Sequence, residues 1–121
     1  MTYIGIIPET KHKAVRVTPV LTGVQYANND ILFDTVEIPG AVKYAGGASK
    51  LVNVSLWSKS NDVFDIELLF FQVNQSMGTV NTARNVSDAD WVTAKYLGHV
   101  VLDGSAEDYN YGGGRIFTFA D

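Results

Sequence analysis

Residues 50 to 58 alternate clearly: Val52, Val54 and Leu56 fall on one side of an extended backbone, and Asn53, Ser55 and Trp57 on the other. A period of two sends successive side chains to opposite faces, so this segment reads as a half-buried strand with one core face. Trp57 points away from that core face. An outward Trp is covered by a loop, used between subunits, or exposed for a ligand. Ser58-Lys59-Ser60-Asn61-Asp62 then reads as a polar hairpin connection, predicting antiparallel pairing with the next strand. That strand, residues 65 to 73, is apolar on both faces at Leu68-Leu69-Phe70-Phe71, as in a strand covered on both sides. An opposing sheet supplies one cover; a loop, a helix or a neighbouring subunit supplies the other.

The remaining segments fit the same class. Tyr3 to Ile7 is a short apolar run closed by Pro8, read as an edge strand or peripheral arm over residues 1 to 8. Val15 and Val17 alternate before Pro19, which reads as a half-buried strand. After the turn cluster Tyr26 to Asp30, residues 31 to 38 read as a strand with a bulge near Asp34 and Thr35, and residues 41 to 44 as a further short one. Residues 74 to 85 are polar and read as an exposed loop. Ser87-Asp88-Ala89-Asp90 offers a hydroxyl N-cap with a carboxylate three residues on, predicting one short helix near residues 88 to 97, stopped by Gly98 and packed through Trp91, Ala94 and Leu97. A strand from His99 to Leu102, an acidic loop from Asp103 to Tyr109, the glycines Gly112 to Gly114 and a final strand from Arg115 to Phe119 complete the chain. Short strands separated by turn signals, with a single helix, predict an all-β, antiparallel, jelly-roll-like β-sandwich forming one domain over residues 1 to 121.

At 121 residues the chain is long enough to build a core without staples. It has no cysteine, which excludes disulfides, thiolate metal sites and a Cys nucleophile. A net charge of -4 argues against a nucleic-acid footprint. The basic cluster Lys11-His12-Lys13 reads as a solvated strand edge or as a contact to an acidic protein partner. The first residues lack the basic start of a signal peptide, and no window reaches the roughly 18 apolar residues that span a bilayer, so neither export nor membrane insertion is expected.

No catalytic constellation emerges. His12 and His99 sit in no metal-ligand spacing, and Asp62, Asp65 and Glu67 lack the pattern of a calcium loop. No serine occupies a nucleophile elbow, and Gly46-Gly47-Ala48-Ser49 lacks the lysine of a phosphate loop. The expectation is a non-enzyme without catalytic, cofactor or metal residues. Trp57, Tyr26, Tyr44, Tyr109 and Tyr111 are the residues available to stack on sugar rings.

In chain order stand Val17-Thr18-Pro19, Tyr26, Asp30, Gly46-Gly47, the strand Leu51 to Leu56, Asp65-Ile66-Glu67-Leu68-Leu69-Phe70-Phe71, Val86-Ser87-Asp88-Ala89-Asp90 and Leu97-Gly98-His99-Val100. In this order they resemble a family of small phage capsid decoration, or head cement, proteins. Residues 1 to 13 and 104 to 121 lie outside the resemblance, and the Lys11 to Lys13 cluster and the triple glycine depart from it. The resemblance implies a virion protein on the capsid exterior, assembled in the host cytoplasm, that binds across major capsid protein subunits as a homotrimer. It implies no catalytic residues, and the charge and hydropathy readings above add no nucleic-acid or membrane partner. Tyr3, Ile4, Ile6 and Ile7 of the arm, with Trp57, are the candidate interface residues. The alternative is a carbohydrate-binding module of a phage tail or fibre that uses exposed aromatics.

Overall fold

The computed structural model describes residues 13–60, 62–104 and 108–120. Among these residues the fold is all-β with one short helix, as the sequence predicts. Its elements are β1 (Asn53–Ser58), β2 (Ile66–Phe71), α1 (Asp88–Ala94), β3 (Tyr96–Leu102), β4 (Asp108–Asn110) and β5 (Arg115–Ala120). They form two antiparallel sheets, β1-β5-β4 and β2-β3.

The core lies where the inner faces of the two sheets meet. Ile66, Leu102 and Phe117 are buried there, with Leu32, Leu56, Phe64, Leu68 and Phe119 packed partly against them. The register explains the selection. Val54 and Leu56 of β1 pair with Phe119 and Phe117 of β5, while Ile66 and Leu68 of β2 pair with Leu102 and Val100 of β3, so each pair shares one face.

The expected hairpin between β1 and β2 is corrected: the two strands lie in different sheets. The connecting residues are drawn into the core instead of turning back at the surface. Phe64 packs its ring on Phe117 at 5.0 Å between centroids, and Asp65 Oδ1 accepts the Gly104 N–H at 3.0 Å. Gly104 has to be glycine, because a Cβ there would collide with the Phe64 carbonyl oxygen. Burial of an aromatic ring outweighs a local polar turn, and the chain crosses from one sheet to the other.

Three expected strands are also absent among the described residues, those of residues 14 to 18, 31 to 38 and 41 to 44, the last being a run of bends. Residues 14 to 18 keep Val15 and Val17 half-buried without entering a ladder, and residues 31 to 38 form no strand. Among the described residues a single β-bridge, Asp30 to Ala83, pairs this region with the loop of residues 74 to 85, beside Ile31 N–H to the Thr82 carbonyl (2.9 Å) and Asn81 N–H to the Ile31 carbonyl (2.8 Å). Asp34 explains the interruption. Its carboxylate accepts from Ser76 Oγ at 2.6 Å, from the Met77 N–H at 2.9 Å and from the Thr35 N–H at 2.8 Å, replacing ladder bonds with side-chain bonds. Burial pushes the Asp34 carboxyl up, but the hydrogen bonds from Ser76, Met77 and Thr35 outweigh it and hold the group below its ordinary 3.8. The clamp also half-buries Gln75, Met77, Val80 and Asn81 in a loop whose composition predicts full exposure.

The helix starts as expected: Ser87 Oγ accepts the Asp90 N–H at 3.1 Å, and Asp88 and Asp90 lie in the first turn. It stops earlier than Gly98. Lys95 adopts φ 54° as the C-cap, and the carbonyls of Ala94 and Lys95 accept from the Val73 and Gln72 N–H groups at 3.1 and 3.0 Å. Helix-end carbonyls thus find partners on the continuation of β2, and Gly98 becomes a residue of β3 opposite Phe70. Residues 108–110, expected within a loop, form β4 and join β5 through a turn closed by Tyr111 N–H to the Gly114 carbonyl at 3.1 Å.

Candidate functional site

The alternation that fills the core leaves each sheet an outer face, and the two faces differ in chemistry. On β2-β3 the outward pairs are Glu67 with Val101, Leu69 with His99, and Phe71 with Tyr96 across a bulge. The second apolar face expected of β2 is therefore real, and the chain covers part of it. Trp91 of α1 meets Phe71 edge-on at 5.7 Å and Tyr96 at 5.0 Å, and Tyr96 also lies 6.0 Å from Phe71. Leu69 and Val101 remain 37% and 50% exposed, and Leu97 stands further out in solvent.

Polar groups alternate with these apolar side chains. His99 Nδ1 lies 2.6 Å from the Tyr96 hydroxyl, and its Nε2 is 3.9 Å from Glu67 Oε1. Arg84 Nη1 approaches Glu67 Oε2 at 3.8 Å. These exposed pairs are weak as stabilisers, and they stand among the apolar side chains of the face: Glu67 lies opposite Val101 and His99 opposite Leu69.

The outer face of β1-β5-β4 carries Trp57. The register sets Trp57 opposite Ile116 and Tyr109 opposite Ile116 from the other side, so the three side chains form one row across three strands. Trp57 is 59% exposed and Tyr109 67% exposed. The Trp57 Nε1–H donates to the hydroxyl of Tyr111, which stands on the β4-β5 turn and fixes the indole while leaving it uncovered. Two residues along the strands, the Ser55 and Thr118 hydroxyls lie 3.2 Å apart, and Ser55 Oγ donates to Asn53 Oδ1 at 3.3 Å.

Of the sequence-derived interface residues, Trp57 is thus exposed and joined by Tyr109 and Tyr111. Tyr3, Ile4, Ile6 and Ile7 lie outside the described residues, as does the Lys11-His12 part of the basic cluster. Sequence reasoning does not single out Leu69, Trp91, Tyr96 and Val101 as contact residues, and the signal that marks them is the doubly apolar run of β2. Among the described residues, no group of three His, Asp or Glu side chains is placed to hold a metal ion. No helix among them is long and apolar enough to cross a membrane. An open apolar groove between Pro19, Phe33, Val36 and Val80 has Asp34 at its edge, but that carboxylate is already committed to the loop clamp. No family model, curated protein or solved structure matches the chain.

Proposed function

We propose that this protein is a non-enzymatic virion component that decorates a phage capsid and stabilises the shell by binding across neighbouring major capsid protein subunits. The observation that carries the reading is the open apolar face of β2-β3, with Leu69 and Val101 exposed beside the Phe71, Trp91 and Tyr96 cluster. The described residues that are buried and hydrophobic are few, Ile66, Ala94, Leu102 and Phe117, whereas many large hydrophobic side chains remain exposed. A surface of that kind favours association. The resemblance of residues 15 to 102 to head decoration proteins supplies the identity of the partner.

In this reading the sandwich is a rigid body and the contacts do the work. A protein that binds only the assembled shell stabilises it by mass action, by about 2.7 kcal/mol per site at a hundredfold excess over Kd. Three copies around a local threefold position would join several capsid subunits at once, so that each contact raises the effective concentration of the next. The N-terminal segment with Tyr3, Ile4, Ile6 and Ile7 is the arm proposed to reach a neighbouring subunit. The acidic net charge of -4 fits an exterior position better than contact with packaged nucleic acid.

The test is co-sedimentation with undecorated capsid shells, together with native mass measurement of the free protein. Saturable, stoichiometric pelleting of a trimer is the expected result. A monomer that never pellets with shells overturns the proposal.

A further inference from the structure

We propose that the outer face of the β1-β5-β4 sheet is a binding site for a neutral oligosaccharide, an adhesive function separate from shell binding. The first argument is the state of Trp57. An indole that is 59% exposed is ordinarily free to change rotamer, yet here the Tyr111 hydroxyl accepts its Nε1–H and fixes the ring in place. A rigid ring loses little conformational freedom when a ligand stacks on it, and the hydrogen bond leaves its π face open.

The second argument is the row that contains it. Trp57, Ile116 and Tyr109 stand side by side on adjacent strands, so the two aromatic residues are two strand spacings apart, about 10 Å at the backbone. Ile116, half-buried between them, forms the floor. Two rings flanking an aliphatic floor make a shallow trough suited to the C–H faces of successive pyranose rings.

The third argument is what lies next to the row. Asn53, Ser55 and Thr118 present an amide and two hydroxyls on the same face, already linked to one another. Such groups donate and accept at once, as sugar hydroxyls require. The side chains that the register places on this face are aromatic, aliphatic, hydroxyl or amide, which selects a neutral glycan over a phosphorylated or sulfated one. A dry protein contact is less suited to this face, because it would bury those hydroxyls against apolar groups. The β2-β3 face differs, since Glu67 stands on it among Leu69, Val101 and the aromatic cluster.

The experiment uses the full chain carrying Trp91→Phe, which leaves Trp57 as the sole reporter of the two tryptophans. It is screened on an array of neutral glycans and titrated with chito-oligosaccharides and cello-oligosaccharides by tryptophan fluorescence and calorimetry. Saturable binding that perturbs Trp57 emission is expected, and Trp57→Ala or Tyr109→Ala should each weaken it roughly tenfold. Tyr111→Phe, which keeps the ring and removes only the acceptor, should weaken it roughly two- to tenfold. Trp57→Phe preserves the strand packing and serves if Trp57→Ala fails to fold. Absence of binding to every neutral glycan overturns the proposal, as does binding that survives Trp57→Phe and Tyr109→Ala unchanged. Loss of shell occupancy in Trp57→Phe made in the chain that keeps Trp91, without any sugar binding, also overturns it and makes the face a protein contact. Because shell occupancy is read separately on the β2-β3 face, failure here leaves the capsid reading standing.

Discussion

Val100 and Val101 are neighbours in β3 that face opposite ways, and the same substitution in each separates folding from association. Val100 pairs with Leu68 on the inner face and is half-buried, while Val101 pairs with Glu67 on the outer face and is 50% exposed. Threonine matches valine in shape and in β-branching, so either replacement keeps strand propensity and changes one methyl to a hydroxyl. In the free protein the hydroxyl introduced by Val101→Thr is hydrated, and the expected change in stability is within about 0.5 kcal/mol. At an apolar interface that hydroxyl loses water without gaining a partner, which costs about 1–3 kcal/mol and weakens shell binding roughly 5- to 150-fold. In Val100→Thr the cost falls on the fold itself, about 1 kcal/mol, because the hydroxyl sits between the sheets. The assay is a urea titration of each variant beside its occupancy on undecorated shells. Val101→Thr binding within a factor of about two of the parent would refute the assignment of this face, as would an equal loss of stability in the two variants.

Two further outcomes follow from the packing and the loop clamp. Phe117 has 0% exposure and packs on Phe64, so Phe117→Ala should cost about 3–5 kcal/mol in a urea titration; a loss below about 1 kcal/mol would contradict its place at the centre of the core. Asp34 is held below 3.8 in the folded protein, so its contribution is full above the ordinary carboxylate value and is lost as pH falls through the depressed one; the stability gap between the parent and Asp34→Asn should close as pH is lowered from about 5 to about 2, and a gap independent of pH would refute the clamp.

Signals that act within a few residues were legible in the sequence. The alternation of residues 50 to 58 marked β1 and the outward position of Trp57, although the strand starts only at Asn53 and leaves Val52 exposed, and Ser87 with Asp90 marked the start of α1. Signals that depend on distant partners were not. The polar run after Ser58 looks like a hairpin turn to any local rule, yet Phe64 is taken by Phe117, more than fifty positions later in the chain, and β1 pairs with β5. Residues 31 to 38 have strand composition, but Ser76 and Met77 bind Asp34 from another loop and the ladder never forms. The convergence of Tyr109 and Tyr111 on Trp57 likewise requires the β4-β5 hairpin, which the acidic and glycine-rich composition hides.

The doubly apolar run of β2 shows how far parity alone can go. Period-two reasoning places Leu69 and Phe71 on one face and states that something must cover them. It cannot distinguish a helix of the same chain from a second molecule, because both cover an apolar face by the same physics. The structure divides the two cases within one strand. Trp91 reaches Phe71 because the helix C-terminus is tied to the continuation of β2 by the Gln72 and Val73 bonds, which hold α1 at that end of the sheet. Leu69 and Val101, in the next registers along the same face, stay 37% and 50% exposed, so parity marks the face and only the tertiary contacts separate its covered part from its open part.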